Sequence, residues 1–152
     1  MSTEYFIFVD SDDIEEVLRI ISTVDGVAFY EKQIQINGML FTGFEELNES
    51  SRKIMREHYG EYGLKVNCRI WGTYDKSHDS DELLMRLFRC VVSIIKAWPE
   101  RNVSLMRNAE SFYVINNSGE VMISPVLTHD HAAVSLVNEL ALIKKTTICR
   151  SM

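Results

Sequence analysis

Residues 64–74 read Leu-Lys-Val-Asn-Cys-Arg-Ile-Trp-Gly-Thr-Tyr, a stretch with a clear period of two. Mostly apolar residues occupy every second position from Leu64, whereas the positions between them are mostly polar but include Trp71. A period of two is that of a β-strand, because successive side chains point to opposite faces. The pattern predicts a strand with one buried face and one outer face.

A long amphipathic helix is predicted after this strand. Its apolar positions recur at helical spacing and are Leu84, Leu87, Phe88, Val91, Ile95 and Trp98. Pro99 cannot continue a helix and marks its end. About 19 residues of helix would be about 28 Å long, so we expect this helix to form the centre of the core.

The N-terminal residues predict a buried strand followed by a capped helix. Residues 5–9 are continuously apolar, which favours a central strand covered on both faces. The next four residues are Asp-Ser-Asp-Asp, where Ser11 or Asp12 can accept a hydrogen bond from the first turn of the helix. The helical spacing then runs from Ile14 to Ile21.

Further strands and turns define the fold class. Asn37-Gly38 predicts a hairpin between strands in the region 27–44. Three more strands are expected at Val103–Met106, Phe112–Ile115 and Val121–Ile123. Tight hairpins without regular βαβα alternation favour an α+β fold, an antiparallel sheet with helices packed mainly on one face.

The length of 152 residues suggests one compact unit. We expect residues 1–124 to form a single α+β domain. The C-terminal segment, residues 125–152, is expected to be helical, capped by Asp130 and packed on the same domain.

Cysteine content and charge restrict the class of protein. Three cysteines without a CxxC pair indicate reduced thiols of a cytoplasmic protein. No apolar run approaches the roughly 18–20 residues of a membrane span. The net charge of −6 is uneven, because residues 1–50 carry −9 and the remainder carries +3. Phosphate contacts need clustered cations, so nucleic acid is not an expected partner.

The chain shows no recognisable catalytic or cofactor motif. It has no G-x-S-x-G elbow, no glycine-rich phosphate loop and no zinc-type ligand spacing. We therefore expect no catalytic residues, no cofactor and no metal. One enzymatic alternative is a small metal-dependent hydrolase that uses His129, His131 and nearby acids, since two such histidines on a strand would face the same way.

Two groups of residues are candidates for partner binding. The first is the acidic start of the first helix, where clustered carboxylates attract basic partners; it comprises Asp10, Asp12, Asp13, Glu15 and Glu16. The second is the outer face of strand 64–74, where Arg69 and Trp71 are of types enriched in interface hot spots. The alternatives are a solvated helix face for the acids and coverage of Trp71 by the second helix or the C-terminal segment.

The order of elements carries a resemblance to a known family. A long alternating strand from Val66 to Asp75 leads to a capped amphipathic helix that ends at Trp98-Pro99. Next come a short strand from Val103 to Met106 and the residues Asn108-Ala109-Glu110. An apolar strand from Phe112 to Ile115 and a strand after a glycine turn, from Gly119 to Ile123, follow. With the N-terminal strand and its acidic helix start, this pattern over roughly residues 4–124 resembles the Sit-type immunity proteins of bacterial polymorphic-toxin systems.

The resemblance implies a cytoplasmic protein that binds one cognate toxin and neutralises it by non-covalent protein–protein contact. An acidic inhibitor would complement a basic toxin, such as one that acts on nucleic acid. The alternatives are a non-catalytic scaffold or homodimeric interaction module that buries Trp71, and the metal-dependent hydrolase. Neither nucleic acid nor a membrane is an expected partner.

Overall fold

The computed structural model describes residues 3–30, 33–36, 39–41, 43–59, 65–74, 80–108 and 111–149. The strands in these ranges are β1 (Thr3–Val9), β2 (Val27–Tyr30), β3 (Gln33–Ile36), β4 (Met39–Phe41), β5 (Gly43–Glu46), β6 (Cys68–Tyr74), β7 (Val103–Arg107), β8 (Ser111–Asn116), β9 (Val121–Ile123) and β10 (Thr146–Ile148). The helices are α1 (Ile14–Ile21), α2 (Glu49–Tyr59), α3 (Ser80–Ala97) and α4 (His131–Ala141), with a 3₁₀ helix at Pro125–Thr128.

Seven of these strands form one sheet, in the order β10–β9–β8–β7–β1–β6–β5. Neighbouring strands are antiparallel, except β9 and β10, which run parallel. The strands β2, β3 and β4 form a separate antiparallel meander. The α+β prediction is therefore confirmed.

β1 lies between β6 and β7, as its continuous apolar run predicts. Ile7 and Val9 point to one side of the sheet and are fully buried there. Phe8 points to the other side and is only 6% exposed. A strand that is covered on both faces needs apolar residues at successive positions, which explains why the run does not alternate.

Three helices pack on one face of the sheet. Side chains of α1, α3 and α4 join those of β1 and β7–β9 in a single apolar cluster. Leu87, Phe88 and Ile95 of α3 have no exposed surface, which places the predicted central helix in the middle of this core. Although α3 has 18 residues, no helix in the described part of the chain is long and apolar enough to cross a membrane.

The opposite face of the sheet carries a second, smaller apolar cluster. Its strand residues include Phe8, Met106, Phe112 and Ile115, and α2 contributes Met55. In β1 this follows from the alternation of strand side chains. In β8, where the pairing with β7 shifts register, the consecutive Tyr113 and Val114 both pack in the main core and their two neighbours pack here. α2 is thus the helix on the second face, and the prediction of helices mainly on one face is confirmed.

The region after α1 contains more strands than the sequence pattern distinguishes. Ile36 pairs with Met39 in the β3–β4 hairpin, which confirms the predicted pairing. The Asn37-Gly38 turn itself lies outside the described residues. β5 then joins the main sheet by pairing with β6, so residues 27–46 contribute to both sheets.

The chain after Pro125 forms the predicted helix and also a strand that the sequence does not predict. Asp130 caps α4, as expected, by accepting a hydrogen bond from the backbone N–H of Ala132 at 2.7 Å. Leu140 of α4 is fully buried in the main core. Beyond the helix, β10 runs parallel to β9, so the end of the chain adds a β-α-β unit to an otherwise antiparallel sheet.

Lys144 attaches this unit to the connection after α3. Its Nζ donates hydrogen bonds to the carbonyl of Pro99, at 2.7 Å, and to the carbonyl of Asn117. Burial lowers the pKa of Lys144, and Glu100 opposes this shift. The side chain of Lys144 thus joins two loops.

Candidate partner-binding surface

The acidic residues lie in the loop that connects β1 to α1. Asp13 is the N-cap of α1, because its Oδ1 accepts hydrogen bonds from the backbone N–H groups of Glu15, at 3.0 Å, and Glu16, at 3.4 Å. The expectation that Ser11 or Asp12 caps this helix is therefore wrong. The Ser11 hydroxyl instead accepts a hydrogen bond from the Asp13 N–H and is buried.

The loop is held against the start of β6 by the side chain of Asn67. Its Nδ2 donates to Oδ1 of Asp12 at 3.1 Å and lies 3.4 Å from Oδ1 of Asp10. On the other side, the Asp10 backbone N–H donates to the Asn102 carbonyl at 2.8 Å. These contacts to two neighbouring segments give the acidic loop a defined position.

Four of the predicted acidic residues line one cleft of about 280 Å³, which we call the acidic cleft; the described lining residues are Asp10, Ser11, Asp12, Asp13, Glu16 and Arg101. Burial raises the pKa of Asp10, whereas Lys65 and Arg101 lower it and Asp12 raises it further. The guanidinium of Arg101 stacks on the ring of Trp98, with Cζ 4.2 Å from the ring centroid. Carboxylates thus outnumber the one cation among the described lining residues.

Glu15 does not share the acidic cleft. It is exposed on the outer side of α1 and lines a separate hollow with Leu18, Arg19 and Ser22. The helical turn explains the separation, because successive residues of a helix point about 100° apart and Glu15 and Glu16 face different directions.

Arg69 and Trp71 lie on the second face of the sheet, as the alternation predicts. They pair directly with Phe8 and Phe6 of β1. The Cζ of Arg69 lies 4.6 Å from the centroid of the Trp71 ring, and both side chains are partly buried. Trp71 is therefore in part covered by a neighbour on its own strand.

The second group begins close to the acidic loop, because Arg69 pairs with Phe8 of β1, two residues before Asp10, and Trp71 lies two residues farther along β6. Asn67, which contacts the acidic loop, precedes Trp71 by four residues along the chain. At about 3.3 Å per residue this separates them by about 13 Å. The structure does not merge the groups into one site, but it places them close enough to fall within one protein interface, which covers about 800 Å² on each partner.

Asn67 and Arg101 belong to the site, although the sequence pattern does not predict a role for either. Asn67 shares the outer face of the predicted strand with Arg69, so the period of two could have identified it as a candidate site residue. Arg101 follows the helix-ending Pro99 and carries no local pattern. It reaches the acidic cleft because β7 returns beside β1.

Among the described residues, His129 and His131 are not grouped with enough further ligands to hold a metal ion. His129 follows the 3₁₀ helix and His131 is the first residue of α4, so neither lies on a strand. Both side chains are exposed. Across the described ranges, no group of three or more His, Cys, Asp or Glu side chains could hold a metal ion.

The three cysteines differ in burial. Cys68 and Cys90 are buried, and Cys149 is partly exposed. Burial raises the pKa of the Cys90 thiol to about 12, with Arg86 opposing the shift, so this side chain is protonated at neutral pH. Cys68 Sγ lies 2.9 Å from the carbonyl oxygen of Ser11 and thus adds a contact beneath the acidic loop.

In comparisons with known proteins, the chain matches no family model, no curated protein and no solved structure.

Proposed function

We propose that this chain is a bacterial immunity protein of the Sit type, which acts in the cytoplasm by binding and neutralising a cognate toxin without catalysis. The observation that carries the proposal is the acidic cleft, where Asp10, Asp12, Asp13 and Glu16 surround an open volume beside one guanidinium. Such a site suits the lysine or arginine side chains of a basic protein.

The position of the acidic loop supports recognition by a preformed surface. Asn67 holds Asp12, and Asp13 is fixed by the first turn of α1. Side chains that are already ordered lose little conformational freedom on binding, so more of the contact energy contributes to affinity.

The charge of the cleft also fits the chemistry of a toxin that acts on nucleic acid. Such a toxin needs cations to contact phosphates. Clustered carboxylates would meet those cations with complementary potential and accelerate association at low salt. Arg69 and Trp71, about 7 Å and about 13 Å from Asn67 along β6, would add a peripheral contact.

Co-expression with a candidate toxin encoded beside this gene tests the proposal. We expect the double variant Asp12→Lys and Glu16→Lys to lose protection, because it reverses two carboxylates of the cleft. Asp13 is left unchanged, since its replacement would also weaken α1. The matched control, Asp25→Lys with Glu49→Lys, makes the same charge change at exposed acids outside the cleft and should still protect.

Purified proteins provide the quantitative readout. The association rate constant of the wild-type pair should fall steeply as ionic strength rises, and the cleft variant should lose most of that dependence. Equal protection by the cleft variant and the control, with both folded, would rule out the acidic cleft as the binding site.

A further inference from the structure

The outer face of α2 carries an apolar side chain between opposite charges. Ile54 is 54% exposed, and Lys53 and Glu57 are exposed beside it. The adjacent Met55 turns inward and packs on the second face of the sheet. Within the described ranges, neither Lys53 nor Glu57 has an ion-pair partner.

The outer face of α1 has the reverse arrangement. Glu15 and Arg19 are exposed, and together with the partly exposed Leu18 they line a hollow of about 300 Å³. Among the described residues these two charged side chains also lack an ion-pair partner. Both helices thus present an acid and a base without an ion-pair partner in the described ranges. Beside them lie the exposed Ile54 in α2 and, in α1, a partly exposed Leu18 that also packs against the main core.

The spacing of the charges matches between the two helices. In each, the charged residues are four positions apart, which separates them by about 6 Å along the axis on the same side of the helix. The order is acid then base in α1, with Glu15 before Arg19. In α2 it is base then acid, with Lys53 before Glu57. Two such helices laid side by side in parallel would pair both charges and bring Ile54 toward the hollow at Leu18.

The two faces cannot meet within one molecule. α1 packs with the main core on the first face of the sheet, whereas α2 packs with the second cluster on the opposite face. Any contact between these two faces therefore joins two molecules, and a second copy of this chain offers matching charge, spacing and an apolar contact.

We propose that the outer face of α2 in one copy docks on the outer face of α1 in another. The contact pairs Lys53 with Glu15 and Glu57 with Arg19, and it covers Ile54. It differs from a dimer that buries Trp71, because Trp71 lies on β6 and outside this contact. The proposal does not depend on a toxin, and its test needs only the purified chain.

Charge exchange within each helix gives a test at constant net charge. In sedimentation velocity at low salt, the wild-type chain should associate into open chains as its concentration rises, because α1 and α2 lie on opposite faces of the sheet. One variant, Glu15→Lys with Arg19→Glu, and another, Lys53→Glu with Glu57→Lys, should each raise the dissociation constant at least about tenfold by opposing like charges. An equimolar mixture of the two variants should associate again, because each then offers the other a complementary face.

The Ile54→Asp variant provides a second measurement at an exposed position outside both apolar clusters. It should also abolish association, whereas Leu142→Asp, the same change in charge at a side chain that is 87% exposed elsewhere, should not. Circular dichroism confirms that each variant is folded. A wild-type chain that stays monomeric up to about 1 mM, or one whose association ignores both charge exchanges, overturns the proposal.

Discussion

The carboxyl group of Asp10 lies at the end of a central strand and is partly withdrawn from water. Burial raises its pKa, so the folded chain binds this proton more tightly than the unfolded chain does. Its ionisation therefore lowers stability as pH rises from the unfolded value, about 3.9, through the folded pKa. We expect Asp10→Asn, which keeps an acceptor for the Asn67 amide, to raise the free energy of unfolding at pH 7.

Urea denaturation at two pH values measures this effect. The gain should be present at pH 7 and shrink in acid below both pKa values, since Asp10 is then protonated in both states. Asp12→Asn makes the same change at an exposed carboxylate and should alter stability less. A loss of stability at pH 7 in Asp10→Asn would contradict a raised pKa of Asp10 in the folded chain.

Asp13 stabilises the fold through its position as a helix cap. Its carboxylate accepts two backbone N–H groups of α1, so Asp13→Ala should lower the free energy of unfolding by about 1 kcal/mol. Asp13→Asn retains the acceptor and should lose less. Chemical denaturation of the two variants distinguishes them, and equal losses would show that the cap contributes little.

At the level of elements, the β9–α4–β10 unit depends on Lys144. Its ammonium group is bonded to two carbonyls, of Pro99 and Asn117, that would lose this donor in Lys144→Met. We expect a local loss of about 1–3 kcal/mol. Hydrogen exchange should quicken at the Val121 amide, which bonds to the Lys145 carbonyl where β10 begins.

The neighbouring lysine is a matched control for this prediction. The ammonium of Lys145 is mostly exposed and lies 3.8 Å from Glu120, so Lys145→Met should have little effect. If both variants quicken exchange equally, the two carbonyl contacts of Lys144 are not what holds the unit. Exchange in β1, far from this edge of the sheet, should stay slow in either variant.

For the molecule as a whole, stability depends most on the core between the sheet and α1, α3 and α4. Phe88 is among the largest side chains with no exposed surface, so Phe88→Ala should lower the free energy of unfolding by about 3–5 kcal/mol. Phe6→Ala, at a partly exposed position on the second face, should lose less. Calorimetry measures both free energies of unfolding. A larger loss in Phe6→Ala would show that the second cluster contributes more to stability than the core with α1, α3 and α4.

The structure shows how the acidic residues behind the net charge of −9 in residues 1–50 are distributed at the start of α1. Asp10, Asp12, Asp13 and Glu16 form one cleft, whereas Glu15 turns toward another hollow. The residue pattern identified the acidic segment because a run of acids is visible in any local window. It could not divide the acids, since that depends on the cap, the helical turn and Asn67, which lies more than 50 residues away.

Local pattern was sufficient for β1, β6 and α3, whose hydrophobic periods depend only on neighbouring residues. It did not reveal β10, because a three-residue strand after two lysines has no period and is defined by parallel pairing with β9. The amino-acid sequence by itself determined the elements with long periodic patterns, the α+β class and the acidic character of the first helix. Tertiary structure alone decided that Arg101 faces the acids, that α1 and α2 lie on opposite faces, and that Lys144 joins two loops, because each of these depends on contacts between segments distant in the chain.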